Sequence, residues 1–179
     1  TRINQIVSNI NNLDSGFIRI GTVQSIAYNW LPGVLKNFSA EYPNITFRLY
    51  VDGFQNLTEK LHKKELDCIF VSQYVAKDFP NLPVGTDELV LVTSLDFVLS
   101  ADDFDYETGK LFRLNHITPN VRFRINEDYT AIKMVEQGFG ITVLPKLLLH
   151  NIPFNVCVRS FTEHFRRNLS VAYLDTPEL

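Results

Sequence analysis

Gly16-Phe17-Ile18-Arg19-Ile20-Gly21-Thr22-Val23-Gln24-Ser25 opens the stretch whose reading decides the fold. Phe17, Ile18 and Ile20 make a short buried strand that ends at Gly21. Ser25 is then placed to cap a helix with Ile26, Trp30, Val34, Leu35 and Phe38 turned inward. Pro32 either kinks that helix or marks a short first segment. Pro43 and Asn44 turn the chain, and Ile45 to Val51 alternates as a strand. A second helix covers about Asn56 to Lys64, followed by the apolar strand Cys68-Ile69-Phe70-Val71. Three short strands separated by two helices form a βαβαβ unit, which implies a parallel sheet with right-handed crossovers.

Outward from this unit the theme repeats less regularly. Glu88 to Thr93 and Asp96 to Ser100 read as strands, and Asp105 to Leu114 as a helix. Val121 to Ile125 is a strand, and Asp128 to Gln137 a helix with Tyr129, Ile132 and Val135 inward. Gly138 and Gly140 bracket the turn into Ile141-Thr142-Val143-Leu144, and Pro145 begins a short helix. Phe154 to Phe161 and Leu169 to Leu174 supply two final strands. On the other side, Ile3, Ile6, Ile10 and Leu13 follow a three-four-three spacing, an a/d stripe on a helix that Gly16 is placed to end. Barely two heptads cannot hold a coiled coil together, so residues 1–15 are expected to be the tail of a longer dimerising helix.

The chain has 179 residues, 17 Lys plus Arg, 20 Asp plus Glu and a formal charge of −3, with 45% apolar and 21% charged residues. That composition excludes a disordered chain, and no apolar run reaches the roughly 20 residues of a membrane helix. With no basic excess, this stretch is poorly suited to gripping a phosphate backbone by itself. Two cysteines, Cys68 and Cys157, are too few for a disulfide scaffold. Both sit in apolar runs and are expected to be reduced core thiols of a cytoplasmic protein.

No enzyme chemistry assembles. Gly138-Phe139-Gly140 lacks the third glycine and the helix start of a dinucleotide loop. His62, His116, His150 and His164 are scattered without metal-ligand spacing, and no Gly-x-Ser-x-Gly elbow is present. Asp102-Asp103-Phe104-Asp105 lacks the glycine and terminal Glu of a calcium loop and reads as capping and turn residues. The reading is therefore no catalytic residues, no metal and no cofactor. Two strand-to-helix turns rich in hydroxyl and amide groups do stand out: Gly21 to Ser25, and Ile125-Asn126-Glu127-Asp128-Tyr129-Thr130. Helix N-termini carry unpaired N–H donors and receive small anions, and ligands of open parallel sheets sit beyond the strands' carboxyl ends. Ser25 and Asp128 are expected to cap their helices, a role compatible with binding.

The set Gly16-Phe-Ile-Arg-Ile-Gly21, Ser25, Leu31-Pro32, Phe38, Tyr42-Pro43, Leu61 and Leu66-Asp67, followed by Val135-Glu-Gln-Gly138-Phe-Gly140-Ile-Thr-Val-Leu-Pro145, resembles the effector-binding domain of LysR-type transcriptional regulators. The motifs occur in the family's order and span most of the chain. The resemblance implies an α/β fold of two Rossmann-like lobes with a central cleft, like type 2 periplasmic binding proteins. Residues 16–72 plus 161–179 would form lobe 1 and residues 73–160 lobe 2. The DNA-binding helix-turn-helix, which in the family precedes a long dimerising helix, would lie outside this sequence. Carried over, Thr22, Gln24 and Ser25 line the cleft from the first lobe, Ser72 and Gln73 lie at the first crossover, and Ser100 and Asp102 occupy a second-lobe strand end. Asp128 and Tyr129, with Glu127, form the helix start opposite.

Two departures from the family pattern accompany it. The stretch between Thr93-Ser94 and Phe97-Val98 is shorter than usual: either the second lobe is pared down or, as expected here, a segment is missing at Ser94–Leu95. A final helix common in the family does not follow before Leu179. The function implied is a small-molecule-sensing domain of a bacterial DNA-binding transcription factor, with an effector between the lobes altering dimer or tetramer geometry. A bilobal solute-binding protein of a transport system is the alternative, and a small α/β enzyme ranks last. Partners are then an unidentified effector and further copies of the chain, with DNA reached only through the absent domain. Effector charge is left open: helix N-termini favour a carboxylate, whereas Asp102, Asp103, Glu127 and Asp128 favour an amine.

Overall fold

The computed structural model describes residues 16–93, 106–121, 123–125 and 127–174. The N-terminal stripe, the strand read over 96–100, the acidic turn at 102–105 and the Ser94–Leu95 joint lie outside the described residues. The chain divides into two units, residues 1–84 with 169–179, and residues 85–168. Both passages fall within long crossover strands, later along the chain than the boundaries 72/73 and 160/161 read above.

In the first unit, β1 (Gly16–Thr22) runs parallel to β2 (Ile45–Val51), from Gly16 opposite Ile45 to Thr22 opposite Val51. On its other side β1 pairs in parallel with β3 (Cys68–Ser72), Ile20 opposite Cys68. The antiparallel strand β7 (Arg166–Tyr173) completes the order β2-β1-β3-β7. Parallel neighbours need crossover helices, and the sequence supplies them. Between β1 and β2 there are two rather than one: α1 (Gln24–Asn29) and α2 (Leu31–Glu41), broken at Trp30 with Pro32 in the first turn of α2. Proline has no N–H to donate, so it is accommodated in a first turn, where that donor has no intrahelical partner. Ile26, Leu31 and Phe38 are buried, and the Phe38 ring meets Phe47 of β2 edge-on at 5.4 Å.

The opposite face is covered by α3 (Phe54–His62), whose Leu57 and Leu61 join Leu66, Ile69, Val71, Ala76, Phe79 and Ala172 in one apolar cluster. Gly21 sits on that face opposite Ile69. A β-carbon built there would lie 2.6 Å from Leu66 and 2.8 Å from Leu57. The bare backbone at this position is what lets α3 lie against β1. In the middle of β1, Arg19 donates to both Asp67 oxygens, from Nη2 at 2.6 Å and Nε at 3.2 Å. The backbone answers in both directions, Arg19 N–H to Asp67 Oδ2 at 2.7 Å and Asp67 N–H to Arg19 O at 2.9 Å. These bonds hold the entry of β3 in register with β1. After β3 comes the four-residue α4 (Gln73–Ala76).

In the second unit, β4 (Asn81–Thr93) lies between β5 (Ile141–Pro145) and β6 (Cys157–Ser160), antiparallel to both. Among the described residues the unit also holds helices α5 (Tyr106–Leu114) and α6 (Asp128–Glu136) and a 3₁₀ turn at Lys146–Leu149. Ile132 and Val135 of α6 pack with Val92, Leu144 and Leu148, bordered by Phe123, Tyr129 and Phe154. Gly138 ends α6 with φ +81°, its N–H on Val135 O and that of Phe139 on Met134 O, the double bond of a Schellman cap. Two strands read from the sequence differ. The described residues of 121–125 make no ladder, because Phe123 buries its ring against Phe139 and the α6 core instead. The strand read from Phe154 begins only at Cys157, after a tight turn closed by Val156 N–H on Phe154 O. Alternation reports burial, and burial here comes from packing without strand pairing.

Gly21→Ala is expected to destabilise the chain by about 1–3 kcal/mol through overpacking against Leu57 and Leu66. Urea unfolding checks this, and an unchanged midpoint would contradict the close approach.

Candidate functional site

The carboxyl ends of β1 and β3, parallel neighbours, fall on one edge of the first unit's sheet. They bring together the residues expected there. Thr22, Ser25 and Ser72 are all but completely buried. Thr22 and Phe70 are in register, so Thr22 shares a sheet face with Ser72, two residues further along β3. Ser25 does not cap α1. The cap is Val23, whose carbonyl accepts from Ile26 and Ala27 N–H, and Ser25 stands inside the first turn. Gln24 precedes it as the first residue of the helix, and Gln73, exposed, opens α4. Thr22 Oγ1 donates to Val23 O at 3.3 Å, a long bond, and Asp52 N–H donates to Thr22 O at 3.2 Å.

Ser72 is different. Its Oγ is buried without a protein partner and does not cap α4. A hydroxyl left in that state costs roughly 1–3 kcal/mol, so a polar group reaching it would be favoured. Ser170 Oγ is in the same state, on β7 opposite Val71 and thus on the reverse face from Ser72. Nothing in the sequence pattern distinguishes Ser170 from an ordinary strand serine.

In the second unit the expected residues gather at the start of α6, with one reassignment. The cap is Glu127, not Asp128. Glu127 Oε1 accepts from Tyr129 N–H at 3.0 Å, and Oε2 accepts from Thr130 N–H at 2.6 Å and Thr130 Oγ1 at 2.7 Å. The helix N-terminus read above as an anion receptor therefore already holds a carboxylate, its own. Asp128, the first residue of the helix, is half-buried. Burial and the neighbouring Glu127 charge push its carboxyl up to about 6, against the opposing pull of Arg167. The Tyr129 ring lies 6.1 Å from that of Phe154. Ser100 and Asp102 lie outside the described residues.

Sequence reasoning missed the charged centre behind this helix start. Arg167 of β7 is buried and donates from Nε (3.1 Å) and Nη2 (2.8 Å) to Asp87 Oδ2. Asp87 Oδ1 accepts from Glu88 N–H at 2.8 Å and Leu147 N–H at 2.9 Å. Beside it Glu88 binds His164 Nδ1 at 2.7 Å and Lys146 Nζ at 3.0 Å, which hold its carboxyl down at about 2. Asp87 and Arg167 are 80 residues apart, a pairing no local pattern reveals.

Both cysteines are free. Burial, with the nearby Asp67 charge, pushes the Cys68 thiol up to about 12, whereas Cys157 is exposed on β6 and is not the core thiol expected. Among the described residues no group of three or more His, Cys, Asp or Glu could hold a metal ion, and no helix is long and apolar enough to cross a membrane.

The sequence model of the LysR substrate binding domain matches residues 11–178. The chain belongs to that family. Among relatives of this LysR-type domain, the HTH-type transcriptional regulator GltR of Bacillus subtilis is 29% identical over 167 residues, covering 83% of this chain and 56% of its own length. The chain spans about half the length of the curated relatives it matches, which are themselves HTH-type regulators. The regulatory domain of Synechocystis PCC6803 CcmR, solved in complex with 2-PG, superposes with a TM-score of 0.79 at 18% identity, covering 92% of this chain and 90% of that one. The effector binding domain of QuiR, solved in complex with shikimate, gives 0.78 at 21% identity, covering 92% and 91%. At these identities the likeness concerns the fold, which is that of LysR regulatory domains.

Two stability predictions follow from the charged groups. Asp128 takes up its proton at higher pH in the folded than in the unfolded chain, so its contribution to stability falls as pH rises from about 4 to about 6. Asp128→Asn is therefore expected to gain melting temperature relative to wild type over that window, and a pH-independent difference counts against the assignment. Arg167→Met leaves Asp87 charged and buried, a loss of about 3–5 kcal/mol by chemical denaturation. A loss under 1 kcal/mol would show that the pair is dispensable.

Proposed function

We propose that this chain is the small-molecule-sensing part of a DNA-binding transcription regulator of the LysR type. The effector takes its contacts from Thr22, Gln24, Ser25, Ser72 and Gln73 in the first unit and from Ser100, Asp102, Asp128 and Tyr129 in the second. The observation that carries this reading is the buried, unpartnered Ser72 hydroxyl beside Thr22 at the strand ends, in a chain of this family. A regulator needs a ligand that prefers one arrangement of the chain over another, because only a difference in affinity shifts an equilibrium. Here the two units are joined by two crossover strands, which suits such a shift in their relative angle. The shift is passed to the DNA-binding heads of a dimer or tetramer in the cytoplasm, and the chain acts by binding rather than by catalysis. Family membership favours this reading over a transport receptor of the same architecture.

The test is a thermal-shift screen of metabolites against the wild-type chain, Ser25→Ala and Tyr129→Phe, repeated on the full-length protein with its operator DNA. A true effector is expected to raise the melting temperature of the wild type, to bind about tenfold more weakly to Ser25→Ala, and to change the affinity for DNA. A ligand indifferent to Ser25 and Tyr129 would displace the site. Turnover of the ligand by the purified chain would replace regulation with enzymology.

A further inference from the structure

Among the described residues the first unit buries four polar side chains, Thr22, Ser25, Ser72 and Ser170, and all of them are uncharged hydroxyls. The buried charges, Asp87 and Arg167, belong to the second unit and bond each other. The Ser72 and Ser170 hydroxyls bond no protein group. They sit on adjacent strands in opposite settings. Ser170 lies opposite Val71 and shares a sheet face with Val71 and Ala172, both part of the apolar cluster under α3. Hydrocarbon closes that side. Ser72 is on the other face, with Thr22, and is the last residue of β3; the next residue, Gln73, is exposed. Thr22 donates its proton to Val23 O, which leaves its oxygen an acceptor, whereas Ser72 has both a donor and an acceptor to offer.

A partner that answers both functions of a hydroxyl must itself donate and accept, as an alcohol or a carboxamide does. A carboxylate or phosphate could take the Ser72 proton, but it would bring a charge to a place where the first unit has no buried cation among its described residues. Burying a charge without a partner is costly. We infer that Ser72 is a specificity-determining residue, receiving an uncharged hydrogen-bonding group of the effector, a hydroxyl or a carboxamide, at the carboxyl end of β3. Any anionic group of the same molecule is held elsewhere. This choice of chemistry rests on the reading of these strand ends as effector-facing.

Acetamide and acetate share size and shape and differ in charge, so the pair separates the two kinds of ligand group. Each is titrated at neutral pH and matched ionic strength into wild type, Ser72→Ala and Ser170→Ala, with the backbone amides of positions 22, 72 and 73 followed by NMR. In wild type, acetamide is expected to shift these amides along a saturating curve and to bind about tenfold more tightly than acetate. Ser72→Ala is expected to weaken acetamide about tenfold, and Ser170→Ala to leave it unchanged. Acetate binding as tightly as acetamide, no response to either, or an acetamide response that survives Ser72→Ala overturns the inference. The wild-type comparison of the two probes stands without any variant. Thermal melting separates a structural role: Ser72→Ala is expected to melt no lower than wild type, because no bond within the protein is lost. A drop of several degrees, or failure to fold, overturns the inference. An effector found by the metabolite screen that is indifferent to Ser72→Ala removes this assignment and leaves the regulator reading. A screen that yields no effector, beside the expected acetamide response, removes the regulator reading and leaves this assignment.

Discussion

The first unit depends on β1 being clasped in parallel between β2 and β3 while a helix presses on each face. The approach of α3 is possible because position 21 carries no side chain: Leu57 and Leu66 occupy the space a β-carbon would need. Parallel pairing then has a functional consequence. Both β1 and β3 must end at the same edge, so Thr22 and Ser72 arrive on the same face there without any local signal linking residues 50 positions apart. The Arg19–Asp67 bonds midway along β1 keep that register, because a slip of one residue would turn the two hydroxyls to different faces.

The second unit adds a buried charged pair to its apolar core. Asp87, near the point where β4 enters the unit, saturates its carboxylate with Arg167 of β7 and two backbone N–H groups. On the first-unit side Tyr173 N–H of β7 donates to the carbonyl of Pro80, just before β4, and on the second-unit side Leu89 N–H of β4 donates to the carbonyl of Phe165, just before β7. The two passages between the units are therefore short stretches flanked by paired backbone, and the buried ion pair anchors one side of them. A buried pair of this kind adds little net stability over apolar packing, but removing one partner leaves an uncompensated buried charge and is strongly destabilising.

Much of this was legible from pattern alone. The strand-helix alternation over residues 17–71, the break at Pro32, the Gly138 helix end and the serine-rich turn after β1 all came from spacing and residue chemistry, because each expresses a local preference of a few residues. Asp128 illustrates the limit. An aspartate before an apolar helix is an ordinary cap, yet the cap is Glu127, since which of two adjacent acids folds back depends on what buries the other. Cys157 shows the same limit from the other side. An apolar neighbourhood in sequence did not bury it, because among the described residues β6 pairs only with β4 and all four of its residues are exposed.

By itself, the sequence determined the α/β alternation of strands and helices and the family resemblance, since these follow from periodicity, turn chemistry and motif order along the chain. Only the tertiary structure decided which hydroxyls lack a partner, which carboxylate holds the start of α6, and that Asp87 and Arg167 neutralise each other in the interior. Those three outcomes are settled by neighbours distant in sequence. Burial and pairing depend on what else is packed at a point in space, and no window along the chain contains that information.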